Sequence, residues 1–252
     1  MNMISNTSTL WFRLAQFDIK LRYRNSTFGP LWITLNTAIF AASVGFLYAV
    51  LLNQPIREYL HHLATSIVLW QFLSATVVEG AESVINAHDL ILNTKMSPAS
   101  CIFRCVTKNF MILLHNLIVV LFTMLIAYPN VGLNIPMFVI GVVLLIAHAT
   151  WISSIVSVIS VRFRDVPLIT ASAMQLLFIL SPILWTAKVL PSESLFLVLN
   201  PITYMIDAAR TPILNGGTDY TSVLVSAAIA LLGSLAAYAL YRRTQHRIPY
   251  WL

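Results

Sequence analysis

The chain has 252 residues, 58% hydrophobic and only 10% charged, with a mean hydropathy of +0.81. A soluble domain carries about a quarter charged residues, and burying this much apolar surface needs a bilayer. The formal charge of +6 then reports membrane topology rather than a nucleic-acid partner, because no Lys/Arg run is long enough for a nucleic-acid groove.

Residues 1–8 are polar and are expected to lie outside regular structure. Over 9–28 the sequence predicts an amphipathic helix lying in the membrane interface. Leu10, Leu14, Phe17 and Leu21 recur at i, i+4, i+7 and i+11, which places them on one face. Arg13, Lys20 and Arg24 flank that stripe on one side and Arg22 on the other. Trp11, Phe12 and Tyr23 supply interfacial aromatics. A basic polar face with low net hydrophobicity describes an in-plane helix. No cleavage-site pattern is visible, so the first span is expected to act as the insertion signal and to stay.

Gly29-Pro30 turns the chain into the first of six expected spans, 31–52, 63–87, 106–128, 137–161, 168–185 and 221–241. Trp32 and Tyr48 sit where an aromatic belt would put them. A short polar loop with Arg57, Glu58, His61 and His62 is expected before the second span. Glu79 and Glu82 fall in the last third of that span, three apart and so on one face, turned to protein or water. Residues 88–100 are too short and too charged to cross. Asp89 and Pro98 bracket a short helix there, and Cys101 and Cys105 just after it read as packing residues rather than a disulfide framework. The fourth span carries His148 and a series of small hydroxyl residues (Ser153, Ser154, Ser157, Ser160), a pattern that lets helices approach closely. His148 reads as a hydrogen-bonded packing residue. In the fifth span Ser181-Pro182 should kink or end the helix. The segment 188–220 holds two apolar stretches, Leu195–Leu199 and Ile202–Leu214, too short to cross a bilayer.

With six spans both termini share a side. That side holds twelve Lys/Arg against three on the other, so both ends are expected in the cytoplasm. No G-x-x-x-x-G-K-[ST], H-E-x-x-H or G-x-S-x-G motif occurs. The sequence therefore offers no P-loop and no constellation for catalysis or metal binding, and the chain is expected not to be an enzyme.

Four stretches, in order, resemble the membrane subunit of ABC-2 type exporters, and specifically the polysaccharide branch that handles O-antigen, capsular polysaccharide or teichoic acid. The strongest is Asp18-Ile19-Lys20-Leu21-Arg22-Tyr23-Arg24-Asn25-Ser26 through Phe28-Gly29-Pro30-Leu31-Trp32. The family pattern there is D-x-K-x-R-Y-R-x-S-x-L-G-x-x-W, with Phe28 in place of Leu. The second is Asn86-Ala87 through Leu90-Ile91 to Lys95 and Pro98, where Ser97 replaces an aromatic. The third is Arg162-Phe163-Arg164-Asp165-Val166, and the fourth is Asn200-Pro201 with Arg210.

The resemblance implies an all-α, multi-pass permease of the bacterial inner membrane, with short re-entrant helices in its last external loop. It implies a homodimer that exports a lipid-linked polysaccharide, driven by a separate cytoplasmic ATPase that binds the ATP and Mg. Asp89, Leu90, Ile91 and Lys95 would then contact the ATPase, and Asn200, Pro201 and Arg210 would belong to an outer gate. Residue chemistry adds two expectations. Lys20, Arg22 and Arg24 are placed to hold a pyrophosphate or a lipid headgroup through charge-assisted hydrogen bonds. Phe40, Phe46, Tyr48, Phe178 and Trp185 are candidate stacking surfaces for sugar rings in a channel. The alternatives are an ABC-2 exporter of a drug or lipid, and a secondary carrier or intramembrane enzyme outside the ABC class. Co-purification with a nucleotide-binding protein separates these.

Overall fold

The computed structural model describes residues 3–22, 24, 29, 31–94, 96–127, 132–186 and 195–252, with the side chains of 3–10, 22, 195, 196 and 249 excepted. The helices in chain order are α1 (Met3–Arg22), α2 (Leu31–Leu51), α3 (Ile56–Ser83), α4 (His88–Thr94), α5 (Pro98–Ala127) and α6 (Ile135–Arg162). They continue with α7 (Val166–Leu180), α8 (Leu195–Leu199), α9 (Pro201–Leu214), α10 (Tyr220–Thr244) and α11 (Ile248–Trp251). The described residues contain no strand. One isolated bridge joins Gly132 to Asn215. An all-helical answer is what hydrocarbon imposes, since a helix satisfies its own backbone.

Among the described residues five helices, α2, α3, α5, α6 and α10, are long and apolar enough to cross a membrane. The expected span 168–185 is the shorter α7. Its 15 residues rise about 22 Å at 1.5 Å per residue, less than the ~20 residues a straight crossing takes. Ser181-Pro182 is the cause, because Ser181 leaves the helix in an extended conformation (ψ 151°) immediately before the proline.

α3 is the central element and is buried along most of its length. It packs against α5, α6, α2, α7 and α9. Its contact with α6 is close because Gly80 faces Ser153, and Ser153 Oγ donates to Thr76 O at 2.9 Å. Ser157 and Ser160 are buried on the same flank of α6. The small-hydroxyl pattern thus marks a real helix–helix seam.

Both chain ends gather at one end of the bundle. Leu14 of α1, Ile91 of α4, Ile102 of α5, Val158 of α6 and Ile248 of α11 share one apolar cluster. Arg162 lies over the Trp251 ring at 5.5 Å. At the far end Asn134 N donates to Pro212 O at 2.9 Å.

The structure corrects several boundaries. Helix α1 begins at Met3, so residues 3–8 are helical where loose chain was expected. Weak helix formers cost only about 0.5 kcal/mol each, which an anchored helix absorbs. The expected polar loop before the second span is the first turns of α3. His61 is fully buried there, bonded to Thr123 Oγ1 at 3.1 Å and to Ile213 O at 3.4 Å. Pro98 does not close the short helix expected over 88–100, which ends at Thr94. It starts α5, at the first helical position, where its missing N–H is harmless. The four-residue α11 has no counterpart in the expected elements.

Candidate functional site: a polar face on an apolar bundle

Large apolar side chains cover the outside of α5, α6 and α10. Ile118, Leu121 and Leu125 are exposed on α5, as are Val143 on α6 and Leu231 and Leu235 on α10. The side formed by α2, α3, α5 and α7 differs. Polar groups run along it from the end that holds the termini to the middle of the bundle. A polar side chain turned to lipid at that depth is costly, so this face is turned to water or protein.

The end nearest the termini is charged. Asp18, Glu79, Glu82, Asn86, Arg104 and Lys108 line a cavity of about 430 Å³. Arg104 Nε donates to Asp18 Oδ2 at 2.7 Å, and its Nη2 to Asp18 Oδ1 at 2.5 Å. Lys108 Nζ stands 2.8 Å from Glu79 Oε2, which also accepts from Asn109 Nδ2 at 2.6 Å. Glu79 is therefore paired. Glu82 accepts from Asn86 Nδ2 at 3.3 Å.

Glu79 and Asn109 are also where the next cavity starts. That one, about 490 Å³, lies between α2, α3 and α5, and sets Asn36, Thr37, Gln71, Ser74 and Asn116 among apolar side chains such as Ile33, Val68, Phe72 and Leu113. A third cavity of about 300 Å³ shares Trp70, Gln71 and Ser74 with it and reaches α7 through Gln175. Phe40 and Phe178 line this third cavity, and the Phe178 ring lies 5.9 Å from that of Trp70. The order is thus charged, then neutral polar, then aromatic.

The residues singled out from sequence divide. Phe40 and Phe178 come together at the third cavity, whereas Phe46 is exposed elsewhere on α2. Tyr48 packs on the apolar core, and Trp185 Nε1 donates to Ile179 O at 3.3 Å. On α1, Lys20 is exposed, and Arg24 is exposed in the turn that follows. Neither is among the residues lining the charged cavity. The side chain of Arg22, and Lys95, lie outside the described residues. The cations that do line it, Arg104 and Lys108, stand out in the sequence only as topology signals. Asn109 and Asn116, seven apart on one face of α5, are the available clue to a polar stripe.

Helix α1 has three sides. Ala15, Ile19 and Asp18 turn toward the bundle, and Trp11 packs on Phe103 with ring centroids 6.1 Å apart. Phe17 and Leu21 are exposed, as are Arg13 and Lys20. This is a helix docked on protein along one side and free to meet a membrane surface with the others.

In α4, Ile91 is buried, Leu90 is half-buried and Asp89 and Leu92 are exposed. At the far end Asn200 caps α9, accepting from Ile202 N at 3.0 Å and donating to Ser181 Oγ at 3.0 Å. Pro201 is the first residue of α9. Arg210 is only 5% exposed. It pairs with Asp207 and donates to Ser66 Oγ at 2.9 Å and Pro182 O at 2.5 Å. His148 is buried between α6 and α10 as a packing residue: it accepts from Trp151 Nε1 at 3.1 Å and bonds Ser226 Oγ at 2.9 Å. Cys101 and Cys105 are buried and unbridged.

An all-helical bundle with apolar helices long enough to cross a membrane, and with polar groups gathered in adjoining cavities between α2, α3, α5 and α7, is a multi-pass membrane protein. The ABC-2 type transporter family matches residues 9–214, and the chain belongs to that family. It is 27% identical over 238 residues to the O-antigen export system permease protein RfbA of Klebsiella pneumoniae, covering 91% of this chain and 90% of the relative. It is 26% identical over 204 residues to the protein of the same name from Myxococcus xanthus, covering 78% of this chain and 77% of that one.

Proposed function

We propose that this chain is the permease subunit of an ABC exporter that moves a lipid-linked polysaccharide of the O-antigen type across the bacterial inner membrane. The observation that carries the proposal is the polar face on α2, α3, α5 and α7, which grades from charged to neutral to aromatic. A phosphate-bearing lipid carrier suits the charged end, and sugar hydroxyls and ring faces suit the remainder. The names of the two relatives point the same way.

In this reading α7 completes a sixth crossing, and both termini are cytoplasmic. The polar face is open on one side, so a second copy of the chain closes it into a conduit. Lys20, Arg22 and Arg24 recruit the carrier's pyrophosphate at the membrane surface. The chain contributes no nucleotide site. A separate ATPase binds the ATP and Mg and engages the bundle through α4, around Asp89, Leu90, Ile91 and Lys95. Asn200, Pro201 and Arg210 hold the outer end shut between cycles.

The test is a strain lacking this chain. Surface polysaccharide should be lost while the lipid-linked intermediate accumulates inside. Normal surface polysaccharide would sink the proposal. The purified permease should also bring down a nucleotide-binding protein in roughly equal amount, and its absence would count against the proposed ATPase contact through α4.

A further inference from the structure

The outer side of α5, α6 and α10 carries a groove that the transport reading does not use. Its volume is about 350 Å³, and it lies between Ile102 and Phe103 of α5, Trp151 of α6, and Ala237, Tyr238 and Tyr241 of α10. Small residues make it. A Cβ on Gly233 would collide with the Trp151 ring, so the indole lies against the α10 backbone. Ala99, Ser234 and Ala237 then leave a trough beside it. The trough follows α10 from Ser234 to Tyr241, about 10 Å at 1.5 Å per residue, or a third of a hydrocarbon core of ~30 Å. It shares no lining residue with the three cavities on the polar side.

The walls suit an acyl chain. Three of their polar side chains are already bonded within the protein. Thr150 Oγ1 donates to Ile146 O at 2.7 Å, Ser154 Oγ to Thr150 O at 2.7 Å, and Trp151 Nε1 to His148 Nδ1 at 3.1 Å. No charged residue lines the groove, and Leu231 and Leu235 are exposed on the same helix. The end toward the chain termini differs. There the Arg242 guanidinium lies over the ring of Tyr238, 5.8 Å from its centroid. Arg242 is exposed and, among the described residues, pairs with no carboxylate. Tyrosine and arginine in the last turns of a membrane helix lie at headgroup level, and a guanidinium without a carboxylate partner complements a phosphate. A ligand that matches a dry trough with a cation at one end is a lipid with a net negative, phosphate-bearing head.

We infer that this groove holds one acyl chain of an anionic phospholipid whose phosphodiester binds Arg242. The lipid comes from the leaflet at the end of the bundle that holds the termini. It is resident rather than transported, since the groove is separate from the polar face, and the inference goes beyond the exporter reading.

The test uses the full-length chain purified in mild detergent. The probes are phosphatidylglycerol and phosphatidylcholine with the same acyl chains, and the readout is lipid retained in native mass spectrometry. Wild type should retain one phosphatidylglycerol per chain in preference to phosphatidylcholine. Arg242→Gln should weaken phosphatidylglycerol binding about fivefold, the scale of one arginine at an anionic lipid surface, and leave phosphatidylcholine unchanged. Ser234→Phe fills the groove with an apolar ring and should lower retention of both lipids. Both positions are exposed, so both variants should melt with wild type in lipid-free detergent. Added phosphatidylglycerol should raise the melting temperature of wild type and not that of Ser234→Phe. Equal retention of phosphatidylglycerol in wild type and both variants overturns the site, as does a wild type with no preference between the two lipids. Retention of the lipid-linked glycan in place of phospholipid overturns it too, by making the groove part of the transport path. So does a Ser234→Phe variant that changes oligomeric state but keeps its lipid, which would assign the groove to a second copy of the chain.

Discussion

Asp18 and Arg104, 86 positions apart, form a two-bond ion pair that ties the N-terminal helix to the start of α5. Both side chains are about one-quarter exposed (24% and 29%), so water weakens but does not cancel the interaction. Asp18→Asn should cost about 1–2 kcal/mol, between an exposed pair and a buried one. The readouts are the thermal midpoint in detergent and the rate of proteolysis near Arg13. A double-mutant cycle with Arg104→Gln should return a coupling above about 0.5 kcal/mol. No coupling would mean that α1 is held by its apolar contacts alone.

Arg210 joins three elements. It pairs with Asp207 within α9, reaches Ser66 on α3, and holds the Pro182 carbonyl where α7 has ended. Arg210→Met leaves a largely buried carboxylate and a bare carbonyl behind. The expected loss is about 3–5 kcal/mol. Arg210→Lys should recover only part of it, since one ammonium cannot reproduce the planar fork. The measurement is thermal unfolding of both variants beside wild type. Full recovery by lysine would assign the residue a charge role without geometry.

Helices α2, α6 and α10 were legible in outline, each end lying within three residues of the apolar run read from the sequence, because each is a long apolar run between polar breaks. Ser181-Pro182 was legible as a kink or an end, yet the span read from the sequence runs on to 185, whereas the helix ends at Leu180. The start of α3 was misplaced because Tyr59 and His61 look like loop residues until their partners are known. Those partners, Leu184, Thr123 and Ile213, lie 62 to 152 positions away. The same distance hid the site. Asp18 meets Arg104, and Gln71 meets Asn116, only after the helices pack. Phe40 and Phe178 were visible as aromatics in spans, yet nothing local separated them from Phe46 and Tyr48.

Gly141 sets the approach of α6 to α9. A Cβ there would collide with the backbone of Ala208 and Ala209. Two backbones therefore touch, and no flexible side chain can yield. Gly141→Val should destabilise by about 3 kcal/mol, at the upper end of overpacking effects. Gly29→Ala makes the useful comparison, because among the described residues no atom lies within 4 Å of a Cβ there, and its φ of +54° opposes the change. Its expected cost is about 1–2 kcal/mol. Melting curves for the two variants test the ranking, and an equal loss would refute the close contact.

Helix α4 presents two kinds of residue. Ile91 is 6% exposed and belongs to the cluster with Val84, Ile102, Val158 and Ile248. Leu92, one position on, is 49% exposed, and the Asp89 side chain is 93% exposed. Anchoring and docking are therefore separable by mutation. Ile91→Ala should lower stability by about 2–4 kcal/mol, as core truncations do. Leu92→Ala and Asp89→Ala should leave the melting temperature within about 1 °C of wild type, as surface changes within about ±0.5 kcal/mol do. They should nevertheless reduce ATP hydrolysis stimulated by the lipid-linked glycan in the reconstituted complex. Loss of stimulation with intact melting would locate the ATPase contact on the exposed side of α4. Full stimulation in both surface variants would move that contact to another part of the same end of the bundle.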